Sequence, residues 1–162
     1  MRVVTRVLMR NAIAFRTILI TLWVGSLCTV GYLVAPVLFA TLSDSVLAGT
    51  IAGKIFRVEA WVSIVLGLSL AGLIGQTVDD ADVKKSCIVL ALVMLGCTVV
   101  GYFCLQPFMA TLRAAAPQGI LTGNARLQFG MLHGVASALY LVQSVVGVVL
   151  LLKISRERSA TL

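Results

Sequence analysis

The chain has 162 residues, 60% of them hydrophobic and only 12% charged, where soluble domains carry about a quarter charged residues; that balance excludes an ordinary soluble fold. The net charge of +7 invites a nucleic-acid reading, but the cations cluster at the ends of apolar runs rather than along one face, which argues against nucleic acid as a partner. Alternation of period two is absent, which excludes a β-barrel of the outer-membrane kind and leaves helices as the way to satisfy every backbone group in lipid.

Residues 1–16 repeat arginine at every fourth position (Arg2, Arg6, Arg10) with Val3, Val4, Val7 and Leu8 between. As a helix this gives a basic edge and an apolar face, suited to an anionic membrane surface or to a basic anchor that fixes topology. Four runs free of Lys, Arg, Asp and Glu follow: Thr17–Ser43, Ala60–Val78, Ser86–Leu112 and Leu127–Leu152. Each is close to or above the ~20 residues a helix needs to cross ~30 Å of hydrocarbon. The spacing predicts transmembrane helices over about 17–40, 55–76, 86–109 and 126–153, in one all-α domain covering 1–162. The first run is too long for a signal-peptide core of about 7–15 residues, and Pro36 lies near its far end, where a kink costs least.

The first loop, about 42–53, holds Ser43-Asp44-Ser45 and two glycines. In the second helix Glu59, Ser63, Gly67, Ala71 and Gly75 are spaced by four, a small-residue stripe suited to close helix packing, headed by a carboxylate. The next loop, 77–85, mixes Asp79, Asp80 and Asp82 with Lys84 and Lys85 and reads as a solvated turn. In the fourth helix Arg126, Gly130, His133, Ser137, Tyr140 and Ser144 follow a three-four spacing. That polar stripe faces protein or water, because lipid offers no hydrogen-bond partner.

Nine of the thirteen cations fall before helix 1, between helices 2 and 3, or after helix 4; Lys54, Arg57, Arg113 and Arg126 alone fall at the other ends. The positive-inside rule predicts cytoplasmic termini in a bacterial inner membrane.

Helix 1 reads Cys28-Thr29-Val30-Gly31-Tyr32 up to Pro36 and ends Ala40-Thr41-Leu42; helix 3 reads Cys97-Thr98-Val99-Val100-Gly101-Tyr102 up to Pro107 and ends Ala110-Thr111-Leu112. The match predicts two parallel helical hairpins related by a pseudo-two-fold axis along the membrane normal. Its weaker second half sets Arg57-Val58-Glu59 beside Arg126-Leu127-Gln128.

Glu59 is the one carboxylate expected below the membrane surface. Arg57 is two residues away and does not face it on a helix, so Arg126 and His133 are its expected partners, with Gln128 as its counterpart in the repeat. Two readings stay open: a proton relay or ion site, and a buried pair that fixes helix register. His133 is the single histidine, so haem ligation needs a Met or a second subunit. Cys28 and Cys97, with Met94 and Met131, make a Cu(I) site conceivable; packing as small hydrophobes is the other reading. The pair Gly130 and Gly134 allows close helix approach. Nucleotide-binding glycine patterns, a Ser-His-Asp set and a zinc signature are absent.

Trp23-Val24-Gly25, the Pro36 end of helix 1, Phe56-Arg57-Val58-Glu59 and Leu132-His133-Gly134-Val135 with Ser137 and Tyr140 resemble the transmembrane protein 205-like family, whose bacterial members carry a domain of unknown function. The resemblance runs from helix 1 to helix 4 and implies a four-helix membrane protein without a settled activity. A more distant similarity is to copper-resistance membrane proteins of the D type, whose first helix carries a histidine about two turns before a Trp-x-Gly; Phe15 and Arg16 stand there instead. The functional readings are therefore an accessory or interaction subunit contacting lipid, copies of itself or another membrane protein; a conduit for a small solute, proton or metal ion; and a haem- or copper-holding protein. Enzymatic chemistry has few side chains to work with.

Overall fold

A computed structural model describes residues 2–161. The protein is an all-α bundle of four long helices. Helix α1 runs over Arg2–Thr29, passes through a π-helical segment at Val30–Val34 and continues over Ala35–Thr41. Helix α2 spans Ser45–Thr77. Helix α3 repeats the pattern of α1, with Ala81–Thr98, a π segment at Val99–Leu105, and Gln106–Ala114. A single 3-10 turn at Pro117–Gly119 leads to α4, Gly123–Thr161. All four are long and apolar enough to cross a membrane, over Val7–Thr41, Ser45–Thr77, Ala81–Ala114 and Gly123–Glu157. The chain is a multi-pass membrane protein.

The helices outrun their expected bounds because charged residues mark the ends of the apolar stretch, not of the helix. Residues 2–16 are continuous with α1; the side chains of Arg2 and Arg6, like that of Arg158, lie outside the described residues. Helix α2 starts at Ser45, ten residues before 55, because the Asp44 carboxylate accepts from the Val46 and Leu47 amides at 2.8 and 3.1 Å. Asp80 caps α3 in the same way, its carboxylate accepting from the Asp82 and Val83 amides at 2.9 Å while staying exposed in the turn. Such caps satisfy amides that have no intrahelical partner.

Helix α1 packs on α2 and α4, and α3 packs on the same two. The core occupies the half of the bundle nearer the termini. Ile20, Trp23 and Leu27 of α1 meet Leu70 and Ile74 of α2, Met94 of α3, and Leu150 and Ile154 of α4. Two glycines permit the close approach. A Cβ at Gly67 would fall 2.6 Å from Leu95 and 2.7 Å from Trp23; at Gly147 it would fall 2.9 Å from Met94. In the stripe on α2, Ser63 and Gly67 are buried, Ala71 is half-buried and Gly75 is exposed, so the packing face is its first half.

Arg16 departs furthest from expectation. Grouped by sequence with the basic anchor, it is fully buried. It donates to the Thr77 hydroxyl at 3.0 Å and to the Glu157 carboxylate, joining α1, α2 and α4. Beside it Lys153 of α4 donates to Ser86 of α3 at 2.6 Å. The terminal end of the bundle is thus closed by polar bonds that reach all four helices.

Candidate functional site

At the other end, nearer the loops, α1 and α3 each carry a proline, Pro36 and Pro107, on the first turn after a π segment. A proline ring clashes with the carbonyl four residues back, and widening the turn relieves it: the Ala35 amide donates to Val30, five residues back. The stretch from cysteine to proline is two residues longer in α3 than in α1. The π segment is seven residues long in α3 and five in α1, so it absorbs the difference. The structural device therefore recurs at matching places in the two hairpins.

Tyr140 of α4 completes the α1 turn. Its hydroxyl donates to the Leu27 carbonyl at 2.7 Å. Gly31 has no alternative here, because a Cβ would overlap the Tyr140 ring. Tyr32 and Phe56 meet the same ring edge-on, at centroid distances of 6.2 and 5.5 Å.

Between the two π segments lies a cavity of about 560 Å³, within the range of small-molecule sites. It extends from Leu27, Ser63 and Thr98 to Met109, Arg113 and Phe129 near the loops. Its wall is mainly aromatic and small aliphatic, with polar groups at the two ends.

Glu59 forms the deep end. It is 6% exposed, and its Oε1 accepts from the Ser26 hydroxyl at 3.0 Å and the Ser63 hydroxyl at 3.4 Å. Ser63 in turn accepts the Trp23 indole N–H at 2.9 Å. Among the described residues Oε2 has no hydrogen-bond partner, and no cation pairs with the carboxylate. Gln143 of α4 lines the same cavity and donates to the Thr98 hydroxyl at 2.9 Å.

The expected partnership of Glu59 with Arg126 and His133 is not formed. Because Tyr140 bonds Leu27, next to the Ser26 that holds Glu59, the residues of α4 level with Glu59 are those around 140–143. Gln128 is twelve residues away along α4, about 18 Å at ~1.5 Å per residue. Arg126, Gln128 and Arg57 are all exposed and none lines the cavity. His133 does line it, but near the loops, stacked on Phe129 at a centroid distance of 6.0 Å. The cation at that end is Arg113 of α3, which donates to the Gly49 carbonyl at 3.2 Å and lies 4.6 Å over the Phe129 ring.

The other candidates are dispersed. Ser137 lines the cavity, while its hydroxyl bonds back to the His133 carbonyl. Gly130 and Gly134 are exposed, with open space where a Cβ would stand, so neither brings two helices of this chain together. Cys97 lines the cavity, whereas Cys28 lines a shallow apolar groove between α1 and α4. Met94 is in the core and Met131 is exposed. Among the described residues no group of three or more His, Cys, Asp or Glu gathers in metal-binding geometry.

Sequence reasoning missed three contributors. Arg113 was grouped with loop cations, Ser26 carried no visible signal, and Gln143 was passed over although a lone amide in an apolar helix calls for a partner.

A family model described as Domain of unknown function (DUF4149) matches residues 18–118, which include α2, most of α1 and all of α3. No curated protein and no solved structure matches the chain.

Proposed function

The chain belongs to this family of unknown function, DUF4149, and from that premise we propose that it is a membrane-embedded binding protein or conduit for a small molecule. One observation carries the reading: a cavity of about 560 Å³ reaches from the loops into the middle of the bundle and ends on a carboxylate with an unpartnered oxygen. Buried ionisable groups in membrane helices are costly and mark ligand or ion paths. The clustering of Lys and Arg at the terminal end supports a bacterial inner-membrane setting with cytoplasmic termini, so that the cavity opens outward. The likeness to transmembrane protein 205-like proteins and to D-type copper-resistance proteins belongs to this proposal and supplies no activity.

Cys97 offers a direct test, since it lines the cavity and is half-buried. With Cys28, Cys87 and Cys104 replaced by serine or alanine, a small water-soluble methanethiosulfonate added to the outer side of oriented vesicles is expected to label Cys97. Addition from the terminal side is expected to label it at least tenfold more slowly. Failure to react from either side would reject an accessible cavity, and the opposite sidedness would reverse the topology.

A second reading, an interaction subunit, rests on Gly130 and Gly134, which are open on the exposed face of α4 and present the small-residue pattern by which membrane helices associate. Crosslinking in native membranes is expected to give a dimer, or an adduct with another membrane protein, that Gly130→Leu with Gly134→Leu abolishes. Products unchanged by the double substitution would remove that face from any interface.

A further inference from the structure

Resting on the cavity reading above, the geometry points to a ligand class: we propose that the cavity takes a lipophilic monovalent organic cation, with its charged centre at Glu59 Oε2 and its apolar body against the aromatic wall. Three observations converge on this class. The carboxylate is nine-tenths buried, accepts two hydroxyls through Oε1, has no hydrogen-bond partner on Oε2 among the described residues, and belongs to a residue that lines the cavity. A charge-assisted bond is the strongest that such an oxygen can accept, and a buried carboxylate is stabilised most by a cation that accompanies it out of water. No side chain among the described residues supplies that cation.

The wall beside Glu59 suits the same ligand. Tyr140, Tyr32 and Phe56 form an edge-to-face cluster on the cavity surface. Aromatic faces attract desolvated ammonium and related centres more strongly than neutral groups of the same size. Arg113, the cavity's own guanidinium, does not oppose this. It is held by Gly49, ten residues from Glu59 along α2, which is about 15 Å at ~1.5 Å per residue. The cavity is thus electrically polarised, acidic at its deep end and basic near the loops.

The cavity also has a lateral edge. A shallow groove between α1 and α4 shares Tyr32 and Leu141 with the cavity, and both side chains are exposed on the membrane-facing surface.

The test uses two probes of nearly the same shape and opposite charge, tetraphenylphosphonium and tetraphenylborate, with full-length protein in lipid nanodiscs and protein-free discs as the reference. Tetraphenylphosphonium is expected to bind saturably, one per chain, and to slow Cys97 labelling. Tetraphenylborate is expected to bind at least tenfold more weakly. Glu59→Gln is expected to weaken tetraphenylphosphonium at least tenfold while leaving Cys97 reactive; Glu59→Asp is expected to keep part of the affinity. Equal binding of both ions, binding of neither, or full affinity in Glu59→Gln would overturn the cation assignment. In each of those cases a reactive Cys97 would leave the cavity reading standing, whereas an inert Cys97 would remove both. Should Glu59→Gln fail to insert, the comparison of the two ions on the native chain decides alone.

Discussion

Arg16→Met is expected to destabilise the folded bundle by about 3 kcal/mol, the lower part of the range for breaking a buried pair by removing one partner. Arg16 is completely buried, whereas Glu157 keeps 20% of its side-chain surface exposed and recovers some solvation when the arginine is gone. The loss also deprives the Thr77 hydroxyl of its donor, and it removes the polar link from α1 to α2 and α4 at the terminal end. Unfolding of the detergent-solubilised protein by heat or sodium dodecyl sulfate gives the measurement. The double substitution Arg16→Met with Glu157→Gln is expected to recover more than half of the loss, because residues that share one network are not additive. Simple additivity of the two single effects would mean that the pair is not coupled.

Trp23→Ala is expected to cost about 3–5 kcal/mol, the usual range for truncating a large buried aromatic. Trp23 has no exposed surface and fills the space left open by Gly67. Trp23→Phe separates the two contributions. It keeps much of the aromatic packing while removing the N–H that Ser63 accepts together with part of the ring volume, for which about 1–3 kcal/mol is expected. The phenylalanine variant also alters the hydroxyl chain that ends on Glu59, so its affinity for tetraphenylphosphonium is expected to move as well. A Trp23→Ala protein as stable as the parent would show that the core does not centre on this residue.

Much of the fold was legible in the sequence because lipid imposes a simple rule: long charge-free runs become helices. Four such runs gave four helices. The bounds were less legible, since Asp44 and Asp80 extend helices well beyond the apolar stretch, and a cap looks like a loop residue until its amide partners are seen. The candidate site was half legible. Glu59, Ser63, His133, Ser137 and Tyr140 all line one cavity, and each drew attention as a polar group in an apolar helix. Their pairing was not legible, because depth along a bundle depends on inter-helix register. The bond from Tyr140 to Leu27 sets that register, and no spacing within α4 reveals it. Arg16 was misread for a related reason: a cation at the edge of an apolar run looks the same in sequence whether it faces headgroups or turns inward to meet Glu157.

The paired π segments carry a consequence for the azimuth of the helices. Each turn that closes on the fifth residue instead of the fourth acts as an inserted residue, and one residue is about 100° of rotation. Beyond Val34 and Leu105, therefore, the sides of α1 and α3 that look inward are ones that unbroken helices would have turned elsewhere. Phe39, Met109 and Arg113 border the hollow downstream of that phase slip. A deletion restoring ordinary winding in either helix would swing its last two turns around the axis and present a different set of side chains to the interior. In this chain the lining of the hollow is written partly in residue types and partly in where the winding slips.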